Sequence, residues 1–111
     1  MNEPAFKVAI TTVSKAEDAE RIAEALVERK LAACVNILSG VRSVYRWQGE
    51  TCRDDEWLLL IKTEQARIEA LKAGIAELHP YDCPELIVLP IVDGSADYLS
   101  WLAGSLSADG S

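Results

Sequence analysis

His79-Pro80-Tyr81-Asp82-Cys83-Pro84-Glu85 gathers more chemistry than any other seven residues of this 111-residue chain. It holds the only imidazole, a thiol, a phenol and two carboxylates. Imidazole, thiolate and carboxylate are the side chains that ligate transition metals. His79, Cys83 and Glu85 are close enough in sequence for a loop to bring two or three of them to one ion, with Asp82 as a further carboxylate. The same residues can instead serve the backbone: His79 ends a helix with a local hydrogen bond, and Glu85 holds an amide or a cation across an interface. Cys34 has the apolar neighbours Ala33 and Val35, and a buried small hydrophobe is its simpler role. Cys52 falls near a turn, exposed and the most oxidisable of the three thiols. A Cys–His pair can act as nucleophile and base, but Cys83 and His79 share one short loop with little room for a substrate. No glycine-rich phosphate cradle, HExxH or EF-hand loop occurs. The expectation is that the chain is not an enzyme and needs no obligatory cofactor.

The elements that must position these groups follow from periodicity. Phe6 to Val13 alternates and is rich in β-branched residues, as in a strand. Ser14 and Glu17 fit a capping box. Ala19, Ile22, Ala23, Leu26 and Val27 then recur at helical spacing to about Lys30, with basic residues in the last turn. Ala33 to Trp47 predicts a long strand broken at Ser39-Gly40. Gln48 to Thr51 predicts a turn, and Glu56 to Thr63 the return strand of an antiparallel hairpin. Thr63 is a plausible N-cap for a second helix carrying Ile68, Leu71, Ile75 and Leu78, which Pro80 ends at His79. Leu86 to Val92 predicts a fourth strand, with Pro90 marking an edge or a bend. Gly94 or Ser95 opens a third helix through Leu106. Residues 1–111 make one domain, and 106–111 should be a frayed tail. The order βαββαβ plus a terminal helix is the α+β, ferredoxin-like split βαβ pattern, with both main helices on one face of an antiparallel sheet.

Composition narrows the partners. Eleven Lys and Arg against 18 Asp and Glu leave a net charge of −7. Phosphate backbones and anionic membrane surfaces need clustered basic residues, and Arg29-Lys30 is the longest such cluster, so neither nucleic acid nor membrane is an expected partner. No apolar run approaches the roughly 20 residues that span a bilayer. The first ten residues lack a basic stretch followed by an apolar one, so no signal peptide is expected. Three cysteines without CxxC spacing predict reduced thiols. The expected location is cytoplasmic.

One mismatch predicts a partner. A half-covered antiparallel sheet should alternate apolar and polar residues. Trp57-Leu58-Leu59-Leu60-Ile61 and Leu86-Ile87-Val88-Leu89 do not alternate. One small terminal helix covers only part of a second face, so a homo-oligomer is expected.

Leu31-Ala32-Ala33-Cys34-Val35-Asn36 resembles the second-strand signature of the CutA family, the divalent-cation tolerance proteins. Ser43, Tyr45, Trp47 and Gly49 fit its S-x-Y-x-W-x-G hairpin, and Lys62-Thr63 its strand-to-helix junction. His79-Pro80-Tyr81 with Pro84-Glu85 is similar to its H-P-Y-x-x-P-E segment, and Tyr98-Leu99 with Trp101 to its Y-L-x-W element. The likeness runs from about Val8 to Leu102; Asp82 and Cys83 lie outside the motif. It implies a ferredoxin-like subunit in a homotrimer like the PII-type signalling proteins, and a role in tolerance to divalent metals with copper binding proposed. The anchoring role tied to animal members, which carry an extra N-terminal segment, is not carried over to a chain that starts almost at its first strand.

The loop chemistry and that resemblance together make His79, Cys83, Glu85 and Cys34 the candidate ligands for copper or another divalent cation, with Cys83 from the loop alone and Cys34 through three symmetry-related copies in a trimer. Tyr45, Trp47, Lys62, Tyr81, Tyr98 and Trp101 are the candidate lining of a cleft between subunits, with core or interface packing as the plainer role. The alternatives are a PII-like sensor of a small metabolite in that cleft and a structural trimer that scaffolds a protein partner.

Overall fold

A computed structural model describes residues 5–107. Strands β1 (Phe6–Val13), β2 (Cys34–Trp47), β3 (Glu50–Glu64) and β4 (Ile87–Pro90) form one antiparallel sheet in the order β2-β3-β1-β4. Helices α1 (Ala16–Glu28) and α2 (Ile68–Leu78) fill the two crossovers, and α3 (Ala96–Leu106) follows β4. This is the split βαβ topology expected from the order of elements.

The core lies between the sheet and α1 and α2. Ala9 and Val13 of β1 and Leu59 and Ile61 of β3 meet Ile22 and Leu26 of α1 and Leu71 and Ile75 of α2, all at 0–1% exposure. On each strand these positions are an even number of residues apart, so one face supplies them all. The intervening residues Val8, Ile10, Leu58 and Leu60 face the other way and are half-buried. On that second face α3 packs against β3, with Leu102 and Leu106 fully buried outside the α1–α2 core. Lys30 Nζ donates to the Ser107 carbonyl at 3.0 Å and Arg67 Nη2 donates to the Leu106 carbonyl. Two cations thus meet the negative end of α3, where the last carbonyls lack helical partners. The helix covers only part of the face: Leu38, Ile87 and Leu89 remain 43–48% exposed.

Several boundaries differ from the sequence expectation. No capping box forms: Lys15, extended, precedes α1 with no side-chain bond to the helix. The last turn of α1 carries no basic residue, because the chain leaves the helix at Arg29 and Lys30 adopts φ 58°. Thr63 is not a helix cap. It is buried in β3, where its Oγ1 donates to the Leu31 carbonyl at 2.8 Å, and a short 3-10 turn (Gln65–Arg67) precedes α2. β3 begins at Glu50 rather than Glu56, since the hairpin turns in two residues. Gln48 and Gly49 have φ 50° and 81°, the pair of positive values a type I′ turn requires. β4 has four residues, not seven, and lies at a sheet edge where Pro90 forfeits no ladder bond to a further strand. Leu106 ends α3 at 0% exposure and is no part of a frayed tail; residues 108–111 of that tail lie outside the described residues.

A bulge matters most for the site. From Leu38 to Val41 β2 advances three residues while β3 retreats two, from Leu58 to Glu56. The extra residue falls at Ser39-Gly40, with Gly40 at φ 79°, and it reverses which residues of β2 face each side. Before the bulge Cys34, Asn36 and Leu38 share a face with Lys62, Leu60 and Leu58; after it Val41, Ser43 and Tyr45 pair with Glu56, Asp54 and Cys52 on that same face.

Candidate functional site

The far half of the β2–β3 hairpin, the end of β1 and the loop after α2 enclose an open groove of about 790 Å³. Its wall includes Tyr45, Trp47, Asp54, Glu56, Tyr81 and Glu85. α2 delivers the loop. His79 leaves the helix in extended conformation, as a residue before proline must.

His79 is 7% exposed and fully occupied. Its Nε2 lies 2.8 Å from the Thr12 carbonyl, and the Tyr81 backbone N–H donates to Nδ1 at 3.2 Å. A carbonyl can only accept and an N–H can only donate, so the ring is the neutral Nε2–H tautomer. The Tyr81 ring stands edge-on to the imidazole at 4.6 Å. Tyr81 Oη donates to Glu56 Oε2 at 2.9 Å. The imidazole therefore sets the loop, and the loop sets a phenol on the one buried carboxylate of the groove. Burial, then the bond and charge of Glu56, push the Tyr81 phenol up against an opposing bond to Ser14. Tyr45 Oη donates to Asp54 Oδ2 on the hairpin. That bond, followed by desolvation and the charges of Asp54, Cys52 and Glu56, pushes Tyr45 up to about 12.

The sequence candidates fall into two places. Tyr45, Trp47, Tyr81, Cys83 and Glu85 line the groove, with Cys83 and Glu85 exposed. His79 stands behind it, both ring nitrogens engaged. Cys34 lies in register with Lys62, at the level of Val8 rather than Thr12. Four residues of strand, roughly 13 Å, separate those levels. There Lys62 Nζ donates to Asn36 Oδ1. The Tyr98 and Trp101 rings lie 5.5 Å apart, and burial followed by the Cys34 charge raises the Tyr98 phenol. Within one chain, Tyr45, Trp47 and Tyr81 thus line an acidic groove, while Lys62 stands beside Cys34 and the Tyr98–Trp101 pair lies on α3. Among the described residues no three His, Cys, Asp or Glu side chains gather as a metal site, so the set His79, Cys83, Glu85 and Cys34 is not assembled within one chain. Asp54 and Glu56 were missed as site residues. Their signal was two carboxylates at i and i+2, on the strand face that continues as Leu58 and Leu60.

A four-stranded antiparallel α+β domain with three helices, bearing a carboxylate-rich groove beside a histidine-set loop, defines the class of this protein. The chain belongs to the family described as CutA1 divalent ion tolerance protein, which matches residues 7–105. It is 51% identical over 96 residues to the divalent-cation tolerance protein CutA of Thermus thermophilus, covering 86% of this chain and 93% of that protein. It is 47% identical to the chloroplastic protein CutA of Arabidopsis thaliana, of which it spans 54%. Among solved structures, CutA1 from Oryza sativa superposes with a TM-score of 0.91 at 42% identity, covering 96% and 97% of the two chains. The periplasmic divalent cation tolerance protein CutA from Archaeoglobus fulgidus gives 0.89 at 30% identity, covering 92% and 99%. No helix among the described residues is long and apolar enough to cross a membrane.

Proposed function

We propose that the chain acts in tolerance to divalent cations as a cytoplasmic homotrimer that binds copper or another divalent metal, without catalysis and without an obligatory cofactor. The observation that carries this reading is the lining of the groove: Asp54, Glu56, Asp82 and Glu85 with no Lys or Arg among its wall residues. Such a wall attracts cations and repels anions. Asp82, Cys83 and Glu85 offer carboxylate and thiolate on one exposed loop, a partial ligand set that a neighbouring subunit would complete. The apolar residues left exposed on the second face, Leu38, Ile87 and Leu89, support such a neighbour. Calorimetric titration of metal-free protein with copper tests the reading. Saturable binding that is lost in Cys83→Ser and Glu85→Gln supports it; binding unchanged in both variants refutes this location. Light scattering that gives a single 12.1 kDa chain at micromolar concentration would remove the trimer.

A second reading rests on the candidates outside the groove. Lys62, Asn36, Tyr98 and Trp101 combine a cation, an amide and paired rings, which suit a small anionic metabolite as in PII-type sensors. A thermal-shift screen in which one metabolite raises the melting temperature, and Lys62→Ala removes the effect, would favour it over the metal reading.

A further inference from the structure

The groove has room and chemistry that a single metal ion does not use. Asp54 and Glu56 both line it and stand two positions apart on β3, on one face. That spacing puts their β-carbons roughly 7 Å apart. Each carboxylate is held by a phenol: Tyr45 donates to Asp54 and Tyr81 donates to Glu56. Tyr81 is in turn fixed through its backbone to His79.

Glu56 is only 7% exposed, yet it reaches the groove wall. Tyr81 donates to its Oε2. A carboxylate so far out of water gains most from a positive partner that enters with it. The remaining wall is aromatic. Tyr45 and Trp47 are 42% and 52% exposed along the hairpin arm, and ring faces of this kind attract organic cations while also covering aliphatic chain. A volume of about 790 Å³ is that of a small-molecule site rather than an ion site.

We infer that the groove binds a linear aliphatic diamine or polyamine. One ammonium meets Asp54, the second meets Glu56, and the methylene chain lies along Tyr45 and Trp47. A diamine with a four-carbon spacer spans the gap between the two carboxylates; a monoamine reaches one of them. The inference goes beyond the metal reading, which shares this acidic lining but draws its ligands from the Asp82-Cys83-Glu85 loop.

Calorimetric titration of the metal-free oligomer with putrescine tests it, beside butylamine and magnesium at one fixed physiological ionic strength. The expected result is saturable putrescine binding near one per chain, about tenfold or more tighter than either comparison. Asp54→Asn should weaken it about tenfold, or roughly 1.4 kcal/mol, with an unchanged circular dichroism spectrum. Trp47→Ala, at the exposed end of the hairpin, should weaken it about threefold. Absence of saturable binding overturns the proposal. So does equal affinity for butylamine, or full retention in Asp54→Asn. Displacement by magnesium at equal concentration would show general attraction to a chain of charge −7 and would overturn it as well.

Discussion

Replacing His79 by alanine separates a ligand from a structural imidazole. The ring is 7% exposed and makes two hydrogen bonds, at 2.8 Å to the Thr12 carbonyl and at 3.2 Å from the Tyr81 N–H. Alanine leaves both backbone groups without these partners in a region with little water. An unsatisfied buried group costs about 1–3 kcal/mol, and removing a buried ring adds a cavity term. The expected loss of stability is about 3–5 kcal/mol. Tyr81 should also lose its anchor and release Glu56. Urea unfolding followed by circular dichroism, at one fixed chain concentration because self-association would make stability depend on it, measures the loss. Copper titration of the same variant, under conditions where it remains folded, measures the ligand role. A stability change below about 1 kcal/mol together with complete loss of metal binding would refute the structural assignment and return His79 to the metal set.

Three other perturbations have definite expected outcomes. Thr11 Oγ1 is buried in the core with no hydrogen-bond partner, so Thr11→Val should stabilise by about 1 kcal/mol, read as a melting temperature raised by roughly 4–8 °C; a lowered value would show that the hydroxyl has a partner. Tyr45 is pushed up to about 12 from 10.0 by its bond to Asp54. Its folded value is raised, so its contribution is fully present below pH 10 and is lost as pH rises through about 12; spectrophotometric titration should show a phenol titrating near 12 that Tyr45→Phe removes and Asp54→Ala brings down. Arg67→Ala removes one of two cations holding the carbonyl end of α3, and should cost about 1 kcal/mol with faster amide exchange confined to α3; unchanged exchange there would remove the anchoring role.

The architecture was largely legible because its signals are local. Period-2 and period-3.6 patterns placed four strands and three helices, Pro80 marked the end of α2, and five short motifs pointed to the family that the comparison confirmed. Errors came where local preference yielded to tertiary contact. Ser14 and Glu17 have the composition of a capping box, yet Lys15 precedes the helix without a side-chain cap. Thr63 has the chemistry of an N-cap, but β3 continues through it and its hydroxyl is used by Leu31. The sequence places a turn at Gln48 to Thr51 and the return strand from Glu56, leaving Cys52 to Asp55 unassigned. Those residues are strand nonetheless, held in register by Arg46↔Thr51 through Arg42↔Asp55.

For the site, residue type and order along the chain were enough to single out residues 79–85 and the aromatic hairpin. They could not say which way the groups point or what meets them. The partner of His79 is a carbonyl 67 positions away, and the partner of Tyr81 is a carboxylate 25 positions away. Such pairings depend on strand register and on how the loop after α2 docks, and no local pattern encodes them. The bulge at Ser39-Gly40 makes the point most sharply. The break itself was visible as a glycine in a strand, but only the register across β3 shows that one extra residue turns Ser43, Tyr45 and Trp47 toward Asp54 and Glu56. A strand alternates with period two, so a single inserted residue decides which face carries the groove.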